Sequence, residues 1–180
     1  MRCYSMVDGE LVYETGEWSY MNQADKKRAS DREDLIMAAE PVIVERVFDA
    51  PTAAVWKAIT DKDAFKHWYF EIAEFEPSVG CEFQFTHEAN GFKYVHHCKV
   101  IEVVPERKFA YSWRYEGYEG DSLVTFELDS EGNKTRLKLT HSGLETFPKL
   151  AAFAKENFVK GWTEIIGSSL KSYVEGQGQP

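Results

Sequence analysis

The chain is short of the residues that staple a fold, anchor it in lipid or bind polyanions. Its three cysteines, Cys3, Cys81 and Cys98, are an odd number at no framework spacing, which argues against a disulfide-built secreted fold and suits a reducing compartment. Basic residues are outnumbered, with 21 Lys and Arg against 30 Asp and Glu and a net charge of −9. Neutralising phosphates needs a basic face, so nucleic acid is excluded as a partner, and so is an anionic membrane surface. No apolar run approaches the roughly 18 residues of a membrane-spanning helix. The first 30 residues hold no apolar stretch behind a basic start, so no secretory signal is expected. Phosphate loops, the GxSxG elbow and the metalloprotease histidine pair are all missing from the sequence. A cytoplasmic location is the expectation.

What the chain has is apolar and aromatic content, 43% and 14% of 180 residues, enough for one domain with a real core and an appendage. Near the end, Phe158, Trp162, Ile165, Ile166, Leu170, Tyr173 and Val174 recur at three- and four-residue spacing. That spacing predicts one long amphipathic helix over Pro148 to Glu175, which needs an apolar surface to lie on. Residues 1–40 read differently. Leu11, Tyr13 and Trp18 lie among polar residues, a short strand or turn is expected around Asp8-Gly9, and Asn22 to Asp34 is a solvated charged stretch. One or two helical turns are expected over Asp31 to Ala39. This segment is either a partly ordered extension or an arm that packs its aromatics on the domain or on a second copy. The expected division is an extension over 1–40, a domain over 41–176 and a tail over 177–180.

The domain opens with a strand in which Val42, Val44 and Phe48 alternate with other residues. Asp49-Ala50-Pro51-Thr52 then stops the strand and starts a helix, with Asp49 or Thr52 as its cap, and Thr60-Asp61 caps a second short helix ending near Trp68. Asn90-Gly91 is a strong hairpin signal because both residue types tolerate positive φ. With the turn there, Glu88 faces Lys93 and Glu82 faces Lys99, while Phe83, Phe85 and His87 face Cys98, His96 and Tyr94. A slip of one residue turns those aromatics outward. Further strands carry Phe109, Tyr111 and Trp113, then Val124, Phe126 and Leu128, then Leu137, Leu139 and His141. One strand, two short helices, further antiparallel strands and a long helix make an α+β fold with helices on one face of the sheet.

Several separated signals in this order resemble the START-like (SRPBCC) superfamily, and within it the branch related to the activator of heat-shock-protein ATPase. They are Phe48-Asp49-Ala50-Pro51 with Val55-Trp56, Trp68, Val100 to Arg107, Tyr111-Ser112-Trp113, Thr140-His141-Ser142-Gly143 and Gly161-Trp162. The resemblance spans about residues 42 to 175 and none of the first 40. It implies a helix-grip fold, a curved sheet around the long helix with a cavity between them. It leaves function open, because this superfamily includes lipid carriers, receptors, cyclases and stress-related proteins. Where relatives commonly carry a glycine ahead of Val100, this chain has Cys98, a side chain that narrows the pocket or sets a thiol in it.

The inward-facing residues Phe83, Phe85, Tyr94, His96, Tyr111, Trp113, Phe126, Leu139, Trp162 and Ile166 are the candidate cavity lining. Each of them also fits plain core packing. His87, His96 and His141 share the inner face by parity, but no other ligand spacing supports a metal there, and neither metal nor cofactor is expected. His87 or His96 can instead orient a ligand as a hydrogen-bond donor. Two function classes follow. The first is a non-enzymatic binding protein for a small lipophilic molecule held between sheet and helix. The second is a protein-interaction or stress-related module that docks a protein partner or forms a homodimer, as the resemblance implies. A cyclase- or hydrolase-type enzyme ranks below both.

Overall fold

Six stretches build the main sheet, and burial alternates residue by residue most regularly in the two at Ser122–Glu131 and Lys134–Ser142. In the computed structural model, the described residues are 3–7, 10–14, 23–89 and 91–176. They fall into two compact units, residues 1–37 and 38–180.

In the first unit, β1 (Cys3–Val7) pairs antiparallel with β2 (Glu10–Glu14), with Val7 opposite Glu10 across the two residues Asp8-Gly9. The helix α1 (Gln23–Ala39) follows and reaches into the second unit. It is longer than the one or two turns expected and takes in most of the stretch read as solvated and charged. No Gly or Pro interrupts residues 23–39, and Ala, Lys, Arg and Glu are good helix formers, so propensity prevails over the missing apolar stripe. The packing of the Leu11, Tyr13 and Trp18 side chains lies outside what the structure describes, as does the tail at 177–180.

The second unit runs β3 (Val42–Phe48), α2 (Thr52–Thr60), α3 (Lys62–Trp68), β4 (Glu82–Ala89), β5 (Phe92–Val104), β6 (Lys108–Tyr115), β7 (Ser122–Glu131) and β8 (Lys134–Ser142) before its C-terminal helix. The strands form one curved antiparallel sheet in the order β3-β8-β7-β6-β5-β4. The β4–β5 register is the one read from the charges, with Glu82 opposite Lys99, Phe85 opposite His96 and Glu88 opposite Lys93. Gly91 takes the positive φ that this turn demands, +79°. A register shift between Val100 and Glu102 bends β5 and leaves Ile101 exposed at the bulge. Asp61 caps α3 by accepting hydrogen bonds from the backbone N–H groups of Asp63 and Ala64. The cap expected for α2 differs. Pro51 stands at its N-cap with no side-chain bond, and Thr52 instead accepts from the Thr135 hydroxyl.

The long helix starts later than its spacing suggested. Pro148 to Ala154 holds a single 3₁₀ turn, Ala151–Phe153, and α4 (Lys155–Glu164) follows. Phe153 is buried within this turn, and Asn157 ties the turn to α4 by donating to the carbonyls of Ala151 and Ala152. From α4 the chain passes through a π-helical segment, Ile165–Leu170, into α5 (Lys171–Gly176). The buried residues are Phe158, Trp162, Ile166, Leu170 and Val174, a strict four-residue repeat. On an α-helix that repeat drifts by about 40° per step, since each residue turns about 100°. The wider π turn takes up the drift and keeps the stripe on the sheet. Gly167 sits in this segment, where a Cβ would approach Arg46 Nε of β3 to 3.2 Å.

Candidate functional site

At one end of the space between the C-terminal helix and the sheet, branched aliphatic side chains close the core. Val55, Ile59, Leu137, Leu139, Ile166 and Leu170 are fully buried there. At the other end the side chains are mostly flat rings, some stacked and some meeting edge to face, and a cavity of about 680 Å³ remains between them. Its walls come from the segment after α3 (Tyr69, Phe70), from β4 (His87, Ala89), from β5 (Tyr94, His96), from β6 (Trp113, Tyr115) and from the C-terminal region (Phe153, Phe158, Trp162). Asn157, Lys160 and Glu164 supply exposed polar groups on the helix side. No helix among the described residues is long and apolar enough to cross a membrane.

The wall is placed by a chain of local causes. Trp68 Nε1–H donates to the Ala58 carbonyl at 2.9 Å and fixes the end of α3. Tyr69 then leaves the helix with φ −126° and ψ −128°, which carries Phe70 over the sheet edge. There Phe70 stacks on Phe85 at 4.6 Å and 10°, and Phe85 stacks on His96 at 4.3 Å and 10°. The Tyr69 hydroxyl meets the Tyr111 hydroxyl at 3.2 Å, so these two buried polar groups satisfy each other. Burial pushes both phenols well above their usual pKa.

A second polar chain fixes the ring of Trp162. Its Nε1–H donates to His141 Nδ1 at 3.0 Å, which puts the His141 proton on Nε2. That N–H meets Ser122 Oγ at 2.8 Å, and the serine hydroxyl donates on to the Trp113 carbonyl at 3.2 Å. Burial lowers the His141 pKa to about 3, so the relay is neutral. The Thr140-to-Gly143 and Gly161-Trp162 motifs, far apart in sequence, are joined by this one bond between helix and strand. Trp113 Nε1 is sealed without a hydrogen bond of good geometry. The neighbouring Tyr115 hydroxyl feels it, because the indole N–H lowers a phenol pKa that burial raises more strongly.

Of the ten residues expected to line a cavity, Tyr94, His96, Trp113 and Trp162 stand on this wall. Phe83, Phe85, Tyr111, Phe126, Leu139 and Ile166 belong to the closed core beside it. Cys98 is buried in the same core and neither narrows the cavity nor opens a thiol into it. Burial also raises its pKa, which makes it an inert thiol. His141 cannot join His87 and His96, because both of its nitrogens are engaged and Trp113 packs against both His96 and His141. Among the described residues no cluster of three His, Cys, Asp or Glu is placed to hold a metal ion. Sequence reasoning missed Tyr69, Phe70, Tyr115 and Phe153. The alternation that flagged Tyr111 and Trp113 extends to Tyr115, while the other three follow helix ends and turns that periodicity does not reach.

The family described as Activator of Hsp90 ATPase homolog 1-like protein matches residues 49–175. The chain belongs to this family. Its fold recurs in solved structures. Protein CV1439 from Chromobacterium violaceum is 25% identical, with a TM-score of 0.66 over 76% of this chain and 97% of that one. Protein MLL2253 from Mesorhizobium loti is 23% identical, with a TM-score of 0.64 over 78% of this chain and all (100%) of that one, and at that identity it speaks for the fold alone. CalU16 from Micromonospora echinospora, as a solution structure, is 27% identical, with a TM-score of 0.56 over 76% of this chain and 66% of that one. No curated protein sequence matches the chain.

Proposed function

We propose that this domain is a non-enzymatic binding protein that holds a small lipophilic molecule between its C-terminal helix and its sheet. The observation that carries the reading is the cavity of about 680 Å³ with an aromatic wall and few polar groups. Sites for small ligands commonly fall between about 300 and 1,000 Å³ and have apolar linings of this kind. Its place of action in this reading is the cytoplasm, in keeping with the free thiols of Cys81 and Cys98. A naphthalene-type fluorescent probe tests the proposal. The folded protein should bind it saturably at one probe per chain, and absence of saturable binding to native protein overturns the reading.

A second reading, docking of a protein partner or a second copy, draws on the family description and on one surface feature. Phe92 is 65% exposed and pairs across the hairpin with Ala89, which lines the cavity. Sedimentation of the wild type and of Phe92→Ser separates self-association from a monomer. A Phe92-dependent change in mass favours docking, and an unchanged monomer mass leaves the cavity as the site.

A further inference from the structure

We propose that His96 selects what the cavity holds: a lipophilic body that carries a hydroxyl or N–H group and donates it to the imidazole Nε2. The inference rests on the binding reading above and names the chemical class of its ligand.

His96 lies on β5, is 3% exposed and forms part of the cavity wall. Its ring has little freedom to turn. Phe85 stacks on one face, Trp113 meets it edge to face at 4.7 Å, and Tyr115 tilts against it at 4.6 Å. Nδ1 stands 3.3 Å from the Phe85 carbonyl oxygen. A carbonyl only accepts, so Nδ1 carries the proton and Nε2 presents a bare lone pair. Burial lowers the pKa to about 4 against the weaker opposing pull of the Phe85 and Tyr94 carbonyls, so the ring stays neutral near pH 7.

That lone pair has no protein donor among the described residues. The obvious candidates are committed elsewhere, the Tyr69 and Tyr111 hydroxyls to each other and the Trp162 indole to His141. Nε2 is not sealed either, since the one sealed side-chain nitrogen or oxygen without a partner among the described residues is Trp113 Nε1. The acceptor therefore opens on the cavity that His96 lines. A purely apolar occupant would displace water from Nε2 and leave it unpaired, which carries a desolvation cost. An occupant with a donor at that point removes the cost. His96 is thus an acceptor toward the ligand, where the sequence suggested a donor.

The test compares 2-naphthol with 2-methoxynaphthalene, which has a similar aromatic body and no donor, by quenching of indole emission in the full-length protein. The wild type should bind 2-naphthol about tenfold more tightly, the effect of one neutral hydrogen bond in a mostly dry site. In His96→Phe the gap should fall below about twofold, with 2-methoxynaphthalene still bound. Equal affinities for the wild type, or a gap that survives in His96→Phe, overturn the inference and leave the cavity reading intact. Saturable binding of neither compound overturns the cavity reading and the His96 inference together. The wild-type comparison stands even where the variant does not fold.

Discussion

The closed and open ends of the space beneath the C-terminal helix are covered by the same helix and floored by the same sheet, yet one is filled and the other is not. At the closed end, Leu137 and Leu139 of β8 and Ile166 and Leu170 of the C-terminal helix are fully buried in one core. Branched aliphatic side chains interdigitate and leave no gap. At the open end, Trp113 and Trp162 meet at 5.9 Å and 63°, and Tyr115 and Phe153 at 4.8 Å and 47°. Rigid rings in such arrangements prop one another apart, and each Tyr, Trp or His brings a polar atom that needs a partner. Side-chain type alone does not divide the two, since Phe83, Phe85, Tyr111 and Phe126 also pack in the closed core; what the hollow end adds is a wall with rings from outside the strands and α-helices, Tyr69, Phe70 and Phe153.

Substitutions can break that contrast, and the largest effect is expected at the closed end. Leu139→Ala should cost about 2 to 5 kcal/mol, since it opens a void in a packed core, and should leave probe affinity near the wild-type value. Denaturant melts and a probe titration read both. A loss of affinity without a loss of stability would place Leu139 in the binding site.

Acid tests the buried histidines. His141 and His96 titrate in the folded chain at about 3 and about 4, below the usual histidine value of 6.5. Between pH 6.5 and about 4 the unfolded chain takes up protons that the folded chain refuses, so stability falls as the pH falls. Each histidine should contribute up to about 1.4 kcal/mol per pH unit, the full slope being reached about one unit below 6.5. Thermal melts at pH 6.5 and 5.5 measure the slope, and His96→Phe should remove its share. A Tm that is flat over this interval would contradict neutral burial.

Tyr111→Phe should cost about 1 kcal/mol, because it strands the Tyr69 hydroxyl at the boundary between the two ends. Probe affinity should hardly move, since Tyr111 lies in the closed core. The reverse result, unchanged stability with weakened binding, would move the boundary of the site to Tyr111. The smallest effect is expected from deleting residues 1–39. We propose that the domain folds without them, so the shortened chain should melt cooperatively within about 0.5 kcal/mol of the full chain. Loss of a cooperative melt would make the extension part of the domain.

The sheet was largely legible from residues alone. Asn90-Gly91 with two facing charge pairs left one register for β4 and β5, and two-residue alternation placed Phe109, Tyr111, Val124, Phe126, Leu137 and Leu139 inside. Strand periodicity gives the face of the sheet and nothing along it, so it could not separate the filled end from the hollow one. That division depends on Tyr69 and Phe70, whose path is set by the end of α3, and on Phe153, held in a 3₁₀ turn where a helix was expected. The role of His141 was hidden for a related reason. Its two partners are Ser122 on the adjacent strand and Trp162 on the helix, a convergence that appears only once strand and helix meet. The π segment was equally hidden, although the four-residue repeat from Phe158 to Val174 carried its trace.

Gly161 offers the most direct test of the central claim, that the hollow end is a binding site. It lies on α4 at the cavity wall, and a Cβ added there meets nothing within 4 Å. A side chain at Gly161 therefore starts in open space at the cavity wall, so Gly161→Leu should narrow the cavity and strengthen the helix by up to about 1 kcal/mol. Probe titration and a thermal melt on the same variant are the measurement. Filling the cavity predicts an equal or higher Tm with probe affinity down by at least about tenfold, the loss expected when bound volume is removed. An intact fold that binds the probe as tightly as the wild type would contradict it.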